Sequence, residues 1–498
     1  MAAVKRNFTF FYNHRAFSKR FSKGLSFYVL GQFIYFVMSV VLPPLFLSAW
    51  GVDLYGEWLV LTSVVAYLSL SDMGGQLFIV NRLNQLYSTQ DISHFKEVLH
   101  TGMFIFLILP LVVFLLFAVS ISLMPHLSFL KVHVLSDHIA RLILVVLALQ
   151  FLFSLPQGLL LGVYRAIGKY PYGIFLSNII MLLQFVFTVS ALWFHANIII
   201  IALLQTAPFV LVGMYAAIDL NRHHAEFDIL SLQGCRYSLI REFLIPSFNF
   251  FAIQLSMAFT IQGLVIVIGI VLGSIQVVMF STMRTLVSVM RQVLSLIANT
   301  AWPEFTRLDA QQQHQKLFLL FKLVLRTTTV ASAGAVLILH FSGGWLYHLW
   351  LHDRVPFHRA YLDVFLLYGM QLVWWGVSNA FLMAINQHKA LSKVTVLSAI
   401  FTILAALIGG HYFGLIGVLC GILMVDLLFP FWFVPCLVHR QNPRFNLKFY
   451  CMEFIPVLIL IVFGYWSFVM MLISCIGLCL WYLQMFLRMN YENFARHL

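Results

Sequence analysis

Apolar stretches of eighteen residues or more recur from Gly24 to Leu487. Each is long enough to cross a hydrocarbon core of about 30 Å as a helix. The pattern places spans at 24–48, 56–80, 101–123, 138–163, 172–193, 196–219, 242–268, 276–301, 317–341, 361–384, 392–410, 414–437, 452–466 and 469–487. That is an all-α polytopic membrane protein with about fourteen transmembrane helices. Only 9% of the residues are charged, where a soluble chain carries about 25%. A large buried soluble core is therefore set aside.

Lysine and arginine favour the cytoplasmic side of a membrane. With the N-terminus in the cytoplasm, twenty-four basic residues fall inside, Arg165, Lys169, Arg222, Lys322, Arg326 and Arg440 among them. Four fall outside: Lys131, Arg141, Arg354 and Arg359. Both termini are expected in the cytoplasm. Basic loops against anionic membrane lipids account for the net charge of +13 without a nucleic-acid partner. The segment "NFTFFYNHRAFSKRFSKG" lacks the apolar core and small-residue site of a cleavable signal, and reads as an interfacial helix. The six cysteines form no CxxC pair, so no disulfide is expected.

The expected domains are a basic N-terminal segment (1–23), an N-lobe of six spans (24–235), a C-lobe of six spans (236–440), and a C-terminal helix pair with its tail (441–498). The longest loops hold about twenty residues and no GxxxxGK[ST] occurs, so no catalytic domain and no ATPase is expected. A repeat is visible at an offset of about 220 residues. "LLLGVYRAIGKYPYGIFLSNII" (159–180) and "AFLMAINQHKALSKVTVLSAIF" (380–401) each end one span, turn and start another. "LSAWGVDLYGEW" (47–58) and "VIGIVLGSIQVVMF" (267–280) each turn at an outer glycine. Six spans per unit is the parallel-repeat arrangement of transporters.

Span eight carries charge. At 100° per residue, Arg284, Ser288, Arg291, Gln292, Ser295 and Asn299 fall within an arc of roughly 100° on one face. Ser281 to Asn299 covers about 27 Å of helix. A stripe of that length needs a wet cavity or a polar partner helix, and two arginines favour the cavity because buried charge demands compensation. The other reading is a buried interhelical hydrogen-bond seam.

Intramembrane acids are few. Asp72 sits in span two, Asp426 in span twelve and Asp363 near the start of span ten. Asp72 and Asp426 are candidates for ion coupling or a cavity charge pair, with proton or sodium as the ion. Through the repeat, Asp72 maps near Arg291 and Gln292. Its alternative role is a local cap beside Gly74 and Gly75; for Asp426, local helix distortion before Pro430 is the alternative. His348 and His352 have metal-compatible spacing, but interleaved tryptophan and tyrosine favour an interfacial segment, and no metal is expected.

"WGVDLYGEWLVLTSVVAYLSLSDMGG" (50–75) resembles the opening signature of Wzx-type polysaccharide flippases, within the multidrug/oligosaccharidyl-lipid/polysaccharide (MOP) exporter superfamily. "FSTMRTLVSVMRQVLSLIANTAWPEFTRLDA" (280–310) resembles that family's eighth helix and following loop. The resemblance implies two six-helix pseudo-symmetric lobes around a central cavity, with the C-terminal pair beside them. It implies a bacterial inner-membrane flippase for a polyprenyl-diphosphate-linked oligosaccharide of surface polysaccharides such as O-antigen lipopolysaccharide. It also implies alternating access, no enzymatic step and no cofactor, with other polysaccharide-assembly membrane proteins as partners. By the same resemblance Arg284 and Arg291 take the diphosphate or acidic sugars. Relatives that flip peptidoglycan precursor carry arginines in spans one and two, and none occurs here before Arg82.

Two rivals remain. A drug/cation antiporter of the same fold would favour acidic cavity residues. A membrane polysaccharide polymerase would want a sizeable outer catalytic loop, and only 342–360 is available.

Overall fold

A computed structural model describes residues 2–229, 231, 235–236, 254–256, 258–385, 388–441 and 450, apart from 73, 125 and 128–129, with scattered positions of 453–477. The chain divides into two compact units, Met1–Leu255 and Ser256–Leu498. Ten helices among the described residues are long and apolar enough to cross a membrane. Two of them, Ser26–Asp72 and Leu391–Arg440, hold a pair of expected spans each. The last two expected spans fall largely outside the described residues.

The first unit contains α1 (Ala2–Ala66), α2 (Gly75–Ser88), α3 (Ile92–Leu123), α4 (Asp137–Ala166), α5 (Tyr170–Trp193) and α6 (Ile198–His223). Its core gathers Leu83, Phe95, Leu99, Leu159, Tyr164 and Leu220 from α2, α3, α4 and α6. Inside α1, Gly51 breaks the helix at φ 72°, ψ −177°, a region essentially reserved for glycine. Just beyond, Glu57 is buried, and its carboxylate accepts the backbone N–H groups of His133, Val134 and Leu135 at 2.5, 2.7 and 3.0 Å. The α3–α4 connection is pinned to α1 by a charge whose lone pairs are satisfied by peptide groups.

The expected span 56–80 is not one helix. Its α-helical part stops at Ala66, a 3₁₀ stretch runs from Tyr67 to Asp72, and α2 starts after Gly74 at φ 75°. The cause is local. Ser69 and Ser71 hydroxyls donate to the carbonyls of Ala66 and Leu68, and Asp72 Oδ1 accepts the Gln76 amide at 2.9 Å. Short polar side chains compete in this way with the helical ladder.

In the second unit a π-helical turn (Phe259–Gly263) leads into α7 (Leu264–Leu272). Then come α8 (Ser274–Ala310), α9 (His314–Leu351), α10 (Arg359–Ala384), α11 (His388–Leu428) and α12 (Pro430–Gln441). Gly273 separates α7 from α8 at φ 94°, ψ 178°, the same conformation as Gly51 at the expected offset of about 220 residues. Gly414 breaks α11 at φ 64°. The core joins Phe305, Phe321, Leu325, Trp374, Phe381 and Val434. Arg326, counted above with basic loop residues, is instead buried within α9. It donates through Nε and Nη2 to Glu453 at 2.6 and 2.5 Å, so a paired charge here lies inside the apolar pattern.

Candidate functional site

A cavity of about 400 Å³ opens in the second unit. The π-helical turn, α7, α8, α10, α11 and the start of α12 line it. Glycine sets the wall. A Cβ at Gly369 of α10 would stand 2.5 Å from Val287 Cγ1, so the missing side chain makes room for Val287 of α8 against α10.

Helix α8 packs through an apolar stripe: Met283, Val287, Met290, Leu294 and Ala298 are all buried. Arg284, Ser288 and Arg291 stand one residue after each of the first three stripe positions, and all three line the cavity. The stripe spacing of three and four residues places them on one face. Arg284 Nη1 donates to the Ile261 carbonyl at 3.0 Å, and its guanidinium lies 5.3 Å from the Phe280 ring centroid. That carbonyl belongs to the π-helical turn, whose bonding departs from the α-helical pattern. Arg291 is exposed and makes no hydrogen bond or ion pair among the described residues.

Gln292 and Ser295 are not among the residues that line this cavity. Both are half-buried, and Ser295 donates to the Gln292 carbonyl at 2.8 Å. Asn299 lies in α8, but its side chain is outside the described residues. Asp72 belongs to the first unit, where it caps the turn into α2.

Asp426 of α11 lines the same cavity as the two arginines. It is 4% exposed, and Oδ1 accepts the Trp375 indole N–H at 3.1 Å. Tyr368 of α10 also lines the cavity and stands within Coulombic range of Asp426, Arg291 and Arg284. Hydroxyls from Thr395, Ser398 and Thr402 of α11 complete a polar wall. Sequence reasoning missed Tyr368, Trp375 and these hydroxyls, although a signal was present. Tyr368, Gln371 and Trp375 recur at three and four residues, as do Thr395, Ser398 and Thr402. Both are the same-face spacing that revealed the arginine stripe.

Two histidine–carboxylate pairs lie elsewhere in the described part of the second unit. His340 Nδ1 meets Asp363 Oδ1 at 2.6 Å between α9 and α10. His348 pairs with Asp353, and His352 closes α9 in the left-handed conformation. Among the described residues no group of three His, Cys, Asp or Glu side chains gathers to hold a metal.

No family model matches the chain, and no curated protein matches its sequence. Solved structures do. A lipid II flippase, MurJ, in an inward closed conformation matches with a TM-score of 0.70 at 12% identity, over 94% of this chain and all of that one. An inward-facing multidrug-resistance MATE transporter of the MOP superfamily matches with a TM-score of 0.64 at 14% identity, over 89% and 97% of the two chains. The fold is that of the MOP-superfamily transporters. A third match, the MATE transporter DinF-BH in complex with R6G, has a TM-score of 0.57 at 16% identity over 85% of this chain. The described residues form ten helices long and apolar enough to cross a membrane, on a fold shared with these transporters, and the helical architecture expected from the apolar runs is found.

Proposed function

We propose that the chain is a flippase that carries a polyprenyl-diphosphate-linked oligosaccharide from the cytoplasmic to the outer leaflet of a bacterial inner membrane. The observation that carries this reading is the placement of Arg284 and Arg291 on one wall of a largely apolar cavity. A diphosphate is a strong anion, and guanidinium offers it a fixed, multidentate fork. The lipid tail stays in the bilayer, so only the head requires a polar path, and alternating access provides it. Ser288 stands between the two arginines on the same wall, and the helical spacing of the sequence carries the polar face on through Gln292, Ser295 and Asn299. The resemblance to a lipid II flippase in fold supports the same class of cargo. The absence of arginine from the first two expected spans before Arg82 argues for a head other than the peptidoglycan precursor.

A second reading, a drug/cation antiporter, draws on Asp426 and its aromatic neighbours in the same cavity. Two arginines against one carboxylate make that cavity unfavourable for a simple cation. Proteoliposomes loaded with a fluorescent polyprenyl-diphosphate oligosaccharide separate the two. The flippase makes label accessible to an external quencher without any new glycosidic bond. Arg291→Ala should lower that rate at least tenfold, with Arg291→Lys recovering part because charge returns without the fork. Wild-type rates in Arg291→Ala vesicles would overturn the proposal.

A further inference from the structure

The cavity has a second pole that an anion does not use. Asp426 offers two oxygens, each aimed at an N–H group. Trp375 Nε1 donates to Oδ1 at 3.1 Å. The Gln371 amide, turned so that its nitrogen is satisfied, donates to Oδ2 at 3.0 Å and to the Leu423 carbonyl at 3.3 Å. A protonated acid carries its hydrogen on one oxygen and leaves that oxygen a poor acceptor. Donors on both oxygens therefore favour the ionised carboxylate. Both donors are neutral, and among the described residues no cation pairs with Asp426. With only neutral donors around it, a carboxylate this deep is stabilised in its charged form by a cation that enters the cavity.

Position supports a link to the arginines. Asp426 follows the Gly414 break by twelve residues and Arg284 follows the Gly273 turn by eleven. Those distances are about 18 and 16 Å along their helices, a similar depth from two turns of similar glycine conformation. Tyr368 lies within reach of both signs of charge. The hydroxyls of Thr395, Ser398 and Thr402 on α11 line the cavity with the carboxylate, together with the Trp375 ring. A wall of one carboxylate, several hydroxyls and an aromatic ring suits the three donors of an ammonium and the hydroxyls of the sugar that carries it.

We propose that the cargo is zwitterionic: it carries a free amine on a sugar, which Asp426 takes while Arg284 and Arg291 take its anionic end. This rests on the flippase reading of the same cavity and adds the sign and place of a second charge. Asp426 then sets specificity against otherwise identical sugars whose amine is acylated and uncharged.

Two probes that differ in that charge test the idea: glucosamine 1-phosphate and N-acetylglucosamine 1-phosphate, titrated calorimetrically into the purified full-length protein. Wild type should bind the free amine about tenfold more tightly. Asp426→Asn should reduce the ratio to less than twofold, and Arg291→Ala should weaken both sugars together. Equal affinities in wild type would overturn the inference and leave the arginine reading standing, whether or not the Asp426 variant folds. Equal affinities that both depend on sodium would assign Asp426 to an ion and overturn it equally. Failure of wild type to bind either sugar would overturn this inference together with the anion site beneath it.

Discussion

Arg326 and Arg291 show how differently one residue type is used in this chain. Arg326 is sealed and forked onto Glu453, whereas Arg291 is exposed at a cavity wall. Removing one partner of a sealed pair strands the other charge, at a cost of about 3–5 kcal/mol. Glu453→Gln should therefore lower the thermal unfolding midpoint markedly in detergent, and Arg326→Met combined with Glu453→Leu should restore much of it. Arg291→Ala should leave that midpoint nearly unchanged while transport falls; an equal loss of stability would favour the hydrogen-bonded seam over a cargo site. Sequence periodicity revealed Arg284 and Arg291 because their face repeats along a single helix. It did not reveal the role of Arg326, because Glu453 is 127 residues away and a pairing over that distance leaves no periodic trace.

At the scale of elements, glycine conformation decides where helices turn. Gly273→Ala forces a Cβ into a region essentially closed to L side chains. It should reduce folded yield by size-exclusion chromatography. Gly376→Ala, within α10 and with nothing within 4 Å of the added carbon, should be neutral or stabilising by up to about 1 kcal/mol. The start of α3 is set by a side chain. Asp91 caps it by accepting the His94 amide at 3.2 Å, and that bond, then the His94 ring, holds the Asp91 carboxyl below its usual range. A lowered folded value means that the cap is fully present above the unfolded value of about 3.9 and is lost as pH falls through the folded value. Asp91→Ala should thus speed amide exchange at His94 and Phe95 at neutral pH, with the gap from wild type closing in acid once intrinsic rates are corrected. Helix positions were largely legible from hydropathy. The 3₁₀ stretch at Tyr67–Asp72 was not, because its serines and Asp72 act through local hydrogen bonds that an apolar average conceals.

Across the whole molecule, paired short segments suggest a repeat in the sequence, and Gly51 and Gly273 share one backbone conformation at that offset. The cavity was legible chiefly on its α8 wall, since Tyr368, Trp375, Thr402 and Asp426 come from helices distant in sequence. Its access to water is open to test by cysteine labelling. Ser288→Cys should react with a small hydrophilic maleimide, while Met290→Cys, on the buried stripe of the same helix, should stay protected. Equal protection at both would argue against a wet wall. An arriving anion meets the two arginines in unequal states, because Arg284 is already engaged with the Ile261 carbonyl and Arg291 is exposed. On the proposed anion site, capture would then have two phases: a fast, concentration-dependent encounter at Arg291, and a slower exchange in which Arg284 trades a peptide oxygen for phosphate. A stopped-flow trace of phosphate-ester binding should resolve both, and only the second should survive as a concentration-independent rate.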